Sequence, residues 1–291
     1  ISRLHQSVFV LDRSNRLRLF KFNGQGPIAS KNLGPGKYEA ISISRDGKRL
    51  FAFGGSGLAL VMVEDLRMSR MRSISLDKDR VALSSDGSFI IYPGGDGLVM
   101  RYDVDKRAES ELFRHGNDRI SGIFLAPDDR TVATTNDTNG SILVFRMGES
   151  EPAYGGVMFA GKQPKVGFNP SGGRLYANGY LDRKTRVYDL AGTALPQVKI
   201  PEKKVQRLAL CGERLYWGTD EGVIGSHTFD GRDRMELGRV TAPVRRIACN
   251  DEISIASLDG DRNVDLWPIS NNGGSRVRLN SQGISVTDIN S

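Results

Sequence analysis

Residues 81–103 read VALSSDGSFIIYPGGDGLVMRYD, and most of the chain is a variation on that stretch. It opens on a short apolar run, Val81 to Leu83, and turns at Ser85-Asp86-Gly87. A β-prone run follows, Phe89 to Tyr92, then a second turn at Gly94 to Gly97 and a third run, Leu98 to Met100, ending at Tyr102-Asp103. Asp-Gly and Gly-rich turns between short apolar runs are hairpin signals, because glycine accepts the positive φ that tight hairpins need. The stretch predicts three antiparallel strands, with a fourth at Glu109 to Phe113.

The same pattern recurs in both directions. It divides the chain into units at about 38–78, 79–118, 119–163, 164–203, 204–243 and 244–283. A first unit, 6–37, has strands at Val8 to Leu11, Leu17 to Phe22 and Ile28 to Leu33, and lacks an opening strand. Ile284 to Ile289 is left over at the other end. A ring of repeats leaves exposed strand edges where it meets itself, and exposed edges invite aggregation. Pairing Ile284–Ile289 beside Val8–Leu11 closes it, giving a unit of 284–291 plus 6–37. The expectation is one all-β domain over 1–291, a seven-bladed propeller of four-stranded antiparallel blades.

A repeat of roughly 40–45 residues with four strands resembles the WD40 propeller family. The third-strand endings Tyr102-Asp103, Tyr188-Asp189 and Phe229-Asp230 look like altered Trp-Asp dipeptides, and Val63-Glu64, Phe145-Arg146 and Trp267-Pro268 like further decayed ones. The turns Arg45-Asp46-Gly47, Ser85-Asp86-Gly87 and Pro127-Asp128-Asp129 resemble the family's Ser-Pro-Asp-Gly turn. The Gly-His dipeptide that opens the family's repeats is absent, so its His-Asp-Ser-Trp hydrogen-bond network is expected to be absent too. Cohesion between blades would then rest on apolar packing.

Composition agrees. An apolar fraction of 38% with 34 glycines in 291 residues suits short strands and tight turns better than long helices. No apolar run approaches the roughly 18–20 residues of a membrane-spanning helix. The opening Ile1-Ser2-Arg3-Leu4 reads as a piece of a longer or processed protein, without a secretory leader. Two cysteines, Cys211 and Cys249, fall just after first strands of successive units, and read as reduced core thiols or, alternatively, as a bridge between neighbours. So few cysteines favour a cytoplasmic or nuclear setting.

Catalytic constellations are sparse. His5, His115 and His227 lie in different units without ligand spacing, and read as turn or solvated histidines. Gly156 to Lys162 (GVMFAGK) matches the start of a phosphate-binding loop, but Gln163 stands where Ser or Thr is required and no helix pattern follows. Asp259-Gly260-Asp261-Arg262-Asn263 starts like a calcium loop, yet Val264 stands where that loop needs Gly and Ser270 where it needs Glu. No metal or cofactor is expected, and the chain reads as a non-enzyme.

The net charge is +7, with arginine in excess over lysine. Aligning the units on their first turns puts Ala40, Arg80, Gly122, Lys165, Arg207 and Arg246 at one place in the innermost strands. Just upstream stand Lys37, Lys78, Arg119, Lys162, Lys203, Lys204 and Arg245. In a propeller these positions crowd one face, and recurring charge of one sign there focuses field on the opposite charge. Lys37, Arg80, Arg119, Lys165, Lys204, Arg207, Arg245 and Arg246 are therefore the candidate partner-binding residues, with an acidic peptide or protein segment as the expected partner. The second reading is nucleic acid, for which Tyr38 beside Lys37 is the only clear stacking residue. The third is an axial-site enzyme such as a lactonase, which needs acids where this alignment finds bases. A second basic patch, Arg67 to Arg72, enters an outermost strand and reads as protection of that edge.

Overall fold

The computed structural model describes residues 7–21, 27–55, 57–72, 80–116, 119–136, 138–158, 165–169, 172–178, 184–190, 198–199, 205–211, 214–228, 232–250, 254–259, 261, 263–268, 277–279 and 286–288. The chain forms two compact units. One comprises Ile1–Leu76, Glu202–Thr228 and Asp233–Ser291, the other Asp77–Pro201 with Phe229–Arg232. Among the described residues every regular element is a strand, and the strands make seven four-stranded antiparallel sheets.

Four sheets belong to the first unit. The terminal one joins β1 (Ser7–Asp12), β2 (Arg16–Lys21) and β3 (Ala29–Asn32) to β28 (Val286–Asp288). The second is β4 (Ala40–Ile43), β5 (Arg49–Gly54), β6 (Gly57–Met62) and β7 (Met68–Arg72). The third is β20 (Val205–Cys211), β21 (Arg214–Thr219), β22 (Val223–Thr228) and β23 (Met235–Arg239). The fourth is β24 (Val244–Asn250), β25 (Ser254–Asp259), β26 (Val264–Pro268) and β27 (Val277–Leu279).

The second unit holds three sheets. They are β8 (Ala82–Leu83), β9 (Phe89–Gly95), β10 (Leu98–Asp103) and β11 (Ala108–Arg114); then β12 (Ile120–Leu125), β13 (Thr131–Asn136), β14 (Ser141–Arg146) and β15 (Tyr154–Met158); then β16 (Lys165–Phe168), β17 (Arg174–Asn178), β18 (Lys184–Asp189) and β19 (Val198–Lys199). Each is a meander in chain order, so the first and last strands are its edges.

Four details bear on the sequence reading. Among the described residues the terminal strand, Val286–Asp288, pairs with Leu11 and also with Asp12, one residue past the expected Val8–Leu11. β7 starts at Met68, two residues before the Arg70 that the sequence suggests, because the Met62 amide already donates to the Arg67 carbonyl at 2.9 Å; Arg70 and Arg72 lie within this edge strand. Cys211 pairs with Arg214 at the end of β20, whereas Cys249 pairs with Ile255 one residue inside β24; the two cysteines are one register step apart. The loop-like run at 156–162 starts within β15, and 159–162 lies outside the described residues.

The first turns repeat one chemistry. Ser44 Oγ donates to Asp46 at 2.6 Å while the Lys48 amide donates to the same carboxylate at 3.0 Å. Ser84, Asp86 and Ser88 do the same at 2.9 and 2.8 Å. Gly47 and Gly87 close these turns at φ of 72° and 69°, a region that L side chains avoid. In the next sheet Asp129 holds the corresponding place at φ 54°. Its carboxylate accepts the Ser85 amide at 2.9 Å and the Ser85 hydroxyl, tying two neighbouring turns together.

Apolar packing joins neighbouring sheets inside each unit. Phe9, Leu11, Leu17, Tyr38, Ile41, Leu50 and Val61 form one core, and Tyr216, Ile224, Val240, Val244, Ile247 and Trp267 another. In the second unit Phe113 stacks on Phe145 with ring centroids 3.8 Å apart, within a core that includes Ile91, Ile120 and Val132.

The expected loss of the His-Asp-Ser-Trp network is only half right. His115, after β11, is buried; Nδ1 lies 2.6 Å from Thr134 Oγ1 and Nε2 3.0 Å from Ser141 Oγ. Asn136 Nδ2 donates to Ser141 Oγ at 2.8 Å. The fourth sheet of the first unit keeps different members: Trp267 Nε1 donates to Ser257 Oγ at 2.9 Å, beside buried Asp259. Backbone bonds place His115 and Val240 alike, since their amides donate to Gly97 and Gly222 carbonyls at 2.7 and 2.9 Å. His227 is buried as well, with Nδ1 2.8 Å from the Thr228 carbonyl oxygen; of the turn or solvated histidines expected, neither described one is solvated, and only His115 lies beside a turn, at Gly116.

Candidate functional site

Among the described candidates, Lys165, Arg207, Arg245 and Arg246 stand on first strands, which are sheet edges, and Lys37, Arg80 and Arg119 stand just before them. Pairing fixes their register. Ala40, Gly122, Lys165, Arg207 and Arg246 oppose Phe53, Thr135, Asn178, Gly218 and Leu258; the first three stand three residues before the last pair, Ile43–Leu50, Leu125–Val132 and Phe168–Leu175, and the last two stand four before it, Cys211–Arg214 and Asn250–Ser254. Arg80 stands four residues before Ser84 as Ala40 does before Ser44, and both serine amides close the turn, on Phe89 and Arg49. Four of these six homologous positions carry a cation.

A second feature repeats with them. β12, β20 and β24 each shift register just before this position, between Ile120 and Gly122, Val205 and Arg207, and Val244 and Arg246. A bulge inserts one unpaired residue and re-aims the side chains around it. In β24 the flanking Val244 is 1% exposed, while Arg245 in the bulge is exposed and Arg246 half-buried. The sequence V-R-R thus anchors one apolar side chain next to an exposed arginine and a half-buried one. In β12 the position is Gly122, where an added Cβ would meet the Phe124 ring at 2.8 Å and Thr135 Oγ1 at 2.9 Å. That edge has no room for a cation.

The other candidates differ in what they can offer. Arg119 is exposed immediately before β12, and Arg80 is half-buried before β8. Lys37 is exposed, but its Nζ lies 2.8 Å from Glu39 Oε1, whose hydrogen bond and charge raise the lysine pKa. Its charge is locally matched. Lys78, Lys162, Lys203 and Lys204 lie outside the described residues. β20 touches β24 in the first unit, and β12 touches both β8 and β16 in the second. Each unit therefore brings its own basic positions onto neighbouring strands: Arg207 with Arg245 and Arg246 in one, Arg80 and Arg119 with Lys165 in the other.

Two further observations bear on the alternatives. Tyr38 is 6% exposed and packs in the core with Leu33 and Ile41, so it is not a stacking platform for a base. In the calcium-like loop, Asp259 accepts the Asn263 amide at 2.9 Å and its Nδ2 at 3.1 Å, which is the closing geometry of a hairpin. Among the described residues no group of three or more His, Cys, Asp or Glu side chains is placed to hold a metal. No helix among them is long and apolar enough to cross a membrane.

With strands, turns and remnant network in place, the chain resembles the WD40-like, β-transducin-type proteins. It is similar to the guanine nucleotide-binding protein subunit beta-like protein of Encephalitozoon cuniculi (strain GB-M1), 23% identical over 214 residues. The match takes in 64% of this chain and 63% of that protein. No protein-family model matches the chain.

Proposed function

We propose that the seven sheets are blades of one closed propeller and that the chain is a non-catalytic scaffold for another protein. The proposed ligand is an acidic peptide or protein segment, held by the basic first-strand residues Arg80, Arg119, Lys165, Arg207, Arg245 and Arg246, with Lys37 and Lys204 at their margin. The observation that carries this reading is the recurrence of cations at one register position, which in β20 and β24 directly follows a bulge. Arginine suits it, because a planar guanidinium grips a carboxylate with two parallel hydrogen bonds. The likeness to a G-protein beta-like protein supports the scaffold role. The burial of Tyr38 weighs against single-stranded nucleic acid, which wants exposed aromatics among the charge.

The test compares two sets of three substitutions to Ala, each checked for unchanged thermal unfolding. Arg80, Arg207 and Arg246 form one set, and Arg67, Arg70 and Arg72 on and beside β7 the other. Titration with a glutamate-rich peptide should show the first set weakening binding by on the order of tenfold or more, and the second by much less. Equal effects would reject the first-strand site. A steep loss of generic RNA affinity with salt would favour nucleic acid instead.

A further inference from the structure

The polar network around His115 ends in a turn whose chemistry the scaffold reading does not use. Asn139 is exposed and is followed by Gly140, which is at φ 67°. The Asn139 amide donates to Asn136 Oδ1 at 3.1 Å. Its own Oδ1 accepts the Ser141 amide at 2.8 Å. This is an Asx turn, in which the carboxamide folds back along the next two peptide units. Ser141 is the residue that reaches His115, and Asn136 donates to the same hydroxyl.

We propose that Asn139 is a site of spontaneous deamidation, and that its conversion loosens the buried His115–Ser141–Asn136 network. The Gly140 nitrogen, its proton passed to solvent base, bonds to Asn139 Cγ. The bond from Cγ to the carboxamide nitrogen breaks, and that nitrogen leaves as ammonia. Water then opens the resulting succinimide at either carbonyl, giving aspartate or isoaspartate; one water is consumed and one ammonia released. Two features of the turn favour the first step. Gly140 has no side chain to hinder its nitrogen, and the Ser141 N–H already donates to the oxygen on which charge develops, as an oxyanion donor does.

The product disturbs what the turn holds. Isoaspartate inserts the Asn139 Cβ into the main chain and lengthens the turn by one bond. It replaces a neutral amide with a carboxylate and removes the acceptor that fixes the Ser141 amide. Ser141 is 9% exposed, so its hydroxyl has little water to turn to when its bond to His115 Nε2 slackens.

The experiment ages the full chain in mildly alkaline buffer, maps its peptides by mass and labels isoaspartate with an isoaspartyl methyltransferase. Asn139 should gain the mass that replaces NH by O on the order of tenfold faster than Asn15 or Asn32, which precede Arg and Leu. In step with it, the Ser141 amide should lose hydrogen-exchange protection and the His115 imidazole resonances should shift. Asn139→Gln, whose longer side chain cannot close the five-membered ring, should abolish both changes. Equal rates at Asn139, Asn15 and Asn32 would overturn the site. Conversion with Ser141 protection and His115 resonances unmoved would overturn the coupling.

Discussion

The sheet β12–β15 and the sheet β24–β27 hold the same four positions with different residues. The first has His115, Thr134, Asn136 and Phe145; the second has Val240, Ser257, Asp259 and Trp267. In the first, the histidine ties the incoming loop to Thr134 on the second strand and Ser141 at the start of the third, and where the second sheet has its tryptophan the third strand carries the stacked Phe145. In the second, the tryptophan ties the third strand to the second, and the loop contributes only the apolar Val240. One sheet has kept the loop-to-strand bond and the other the strand-to-strand bond. Either bond, joined to apolar packing where the other was lost, is compatible with the same four-stranded meander.

Breaking each half measures its share. Trp267→Ala removes a 5%-exposed indole from the core of the first unit as well as a hydrogen bond, and should cost about 3–5 kcal/mol in chemical denaturation. His115→Ala should cost about 2–3 kcal/mol, since it strands the Thr134 and Ser141 hydroxyls in a buried setting. Trp267→Phe and Ser257→Ala each keep most of the packing and should cost about 1 kcal/mol. Their double-mutant cycle isolates the bond, and a coupling near zero would show that Trp267 acts by volume alone.

The smallest effect is in the turns and depends on pH. Burial alone would raise Asp86 and Asp128, but hydrogen bonds from Ser88 and Ser84, and from Arg130 and Thr131, outweigh it and hold both carboxyls below 3.8, the ordinary value. A carboxylate held below its unfolded value stabilises the fold above that value and ceases to as the pH falls through the lowered one. Melting temperature should therefore be level through neutrality and decline below about pH 4. Asp86→Asn should flatten part of that decline, and an unchanged acid limb would remove this turn from the account.

Strand order was legible from sequence because its signals are local. A Ser-x-Asp-Gly turn closes on itself within five residues, as Ser44 to Lys48 and Ser84 to Ser88 show. The register of the basic positions was legible for the same reason, being counted back from those turns. The His115 network was not, because its partners lie 19 and 26 residues away and the dipeptide runs His115-Gly116 rather than Gly-His. A histidine just past a strand, followed by threonine and serine on the second and third strands after it, is the pattern that would have found it. The bulges were invisible too, since a shift of register leaves no mark on a run such as Val244-Arg245-Arg246. Neutralisation of Lys37 by Glu39, by contrast, was open to view two residues away.

The pairing of β28 with β1 sets an order of events during synthesis. The strand that completes the first sheet is made roughly 275 residues after its neighbour, which at about 5–20 residues per second leaves β1 waiting for many seconds on the ribosome. Through that interval Leu11 and Asp12 lack the backbone partners that Val286 and Asp288 will bring. A nascent chain stalled before residue 286 should thus recruit a chaperone, and one extended past residue 288 and clear of the ribosome should not.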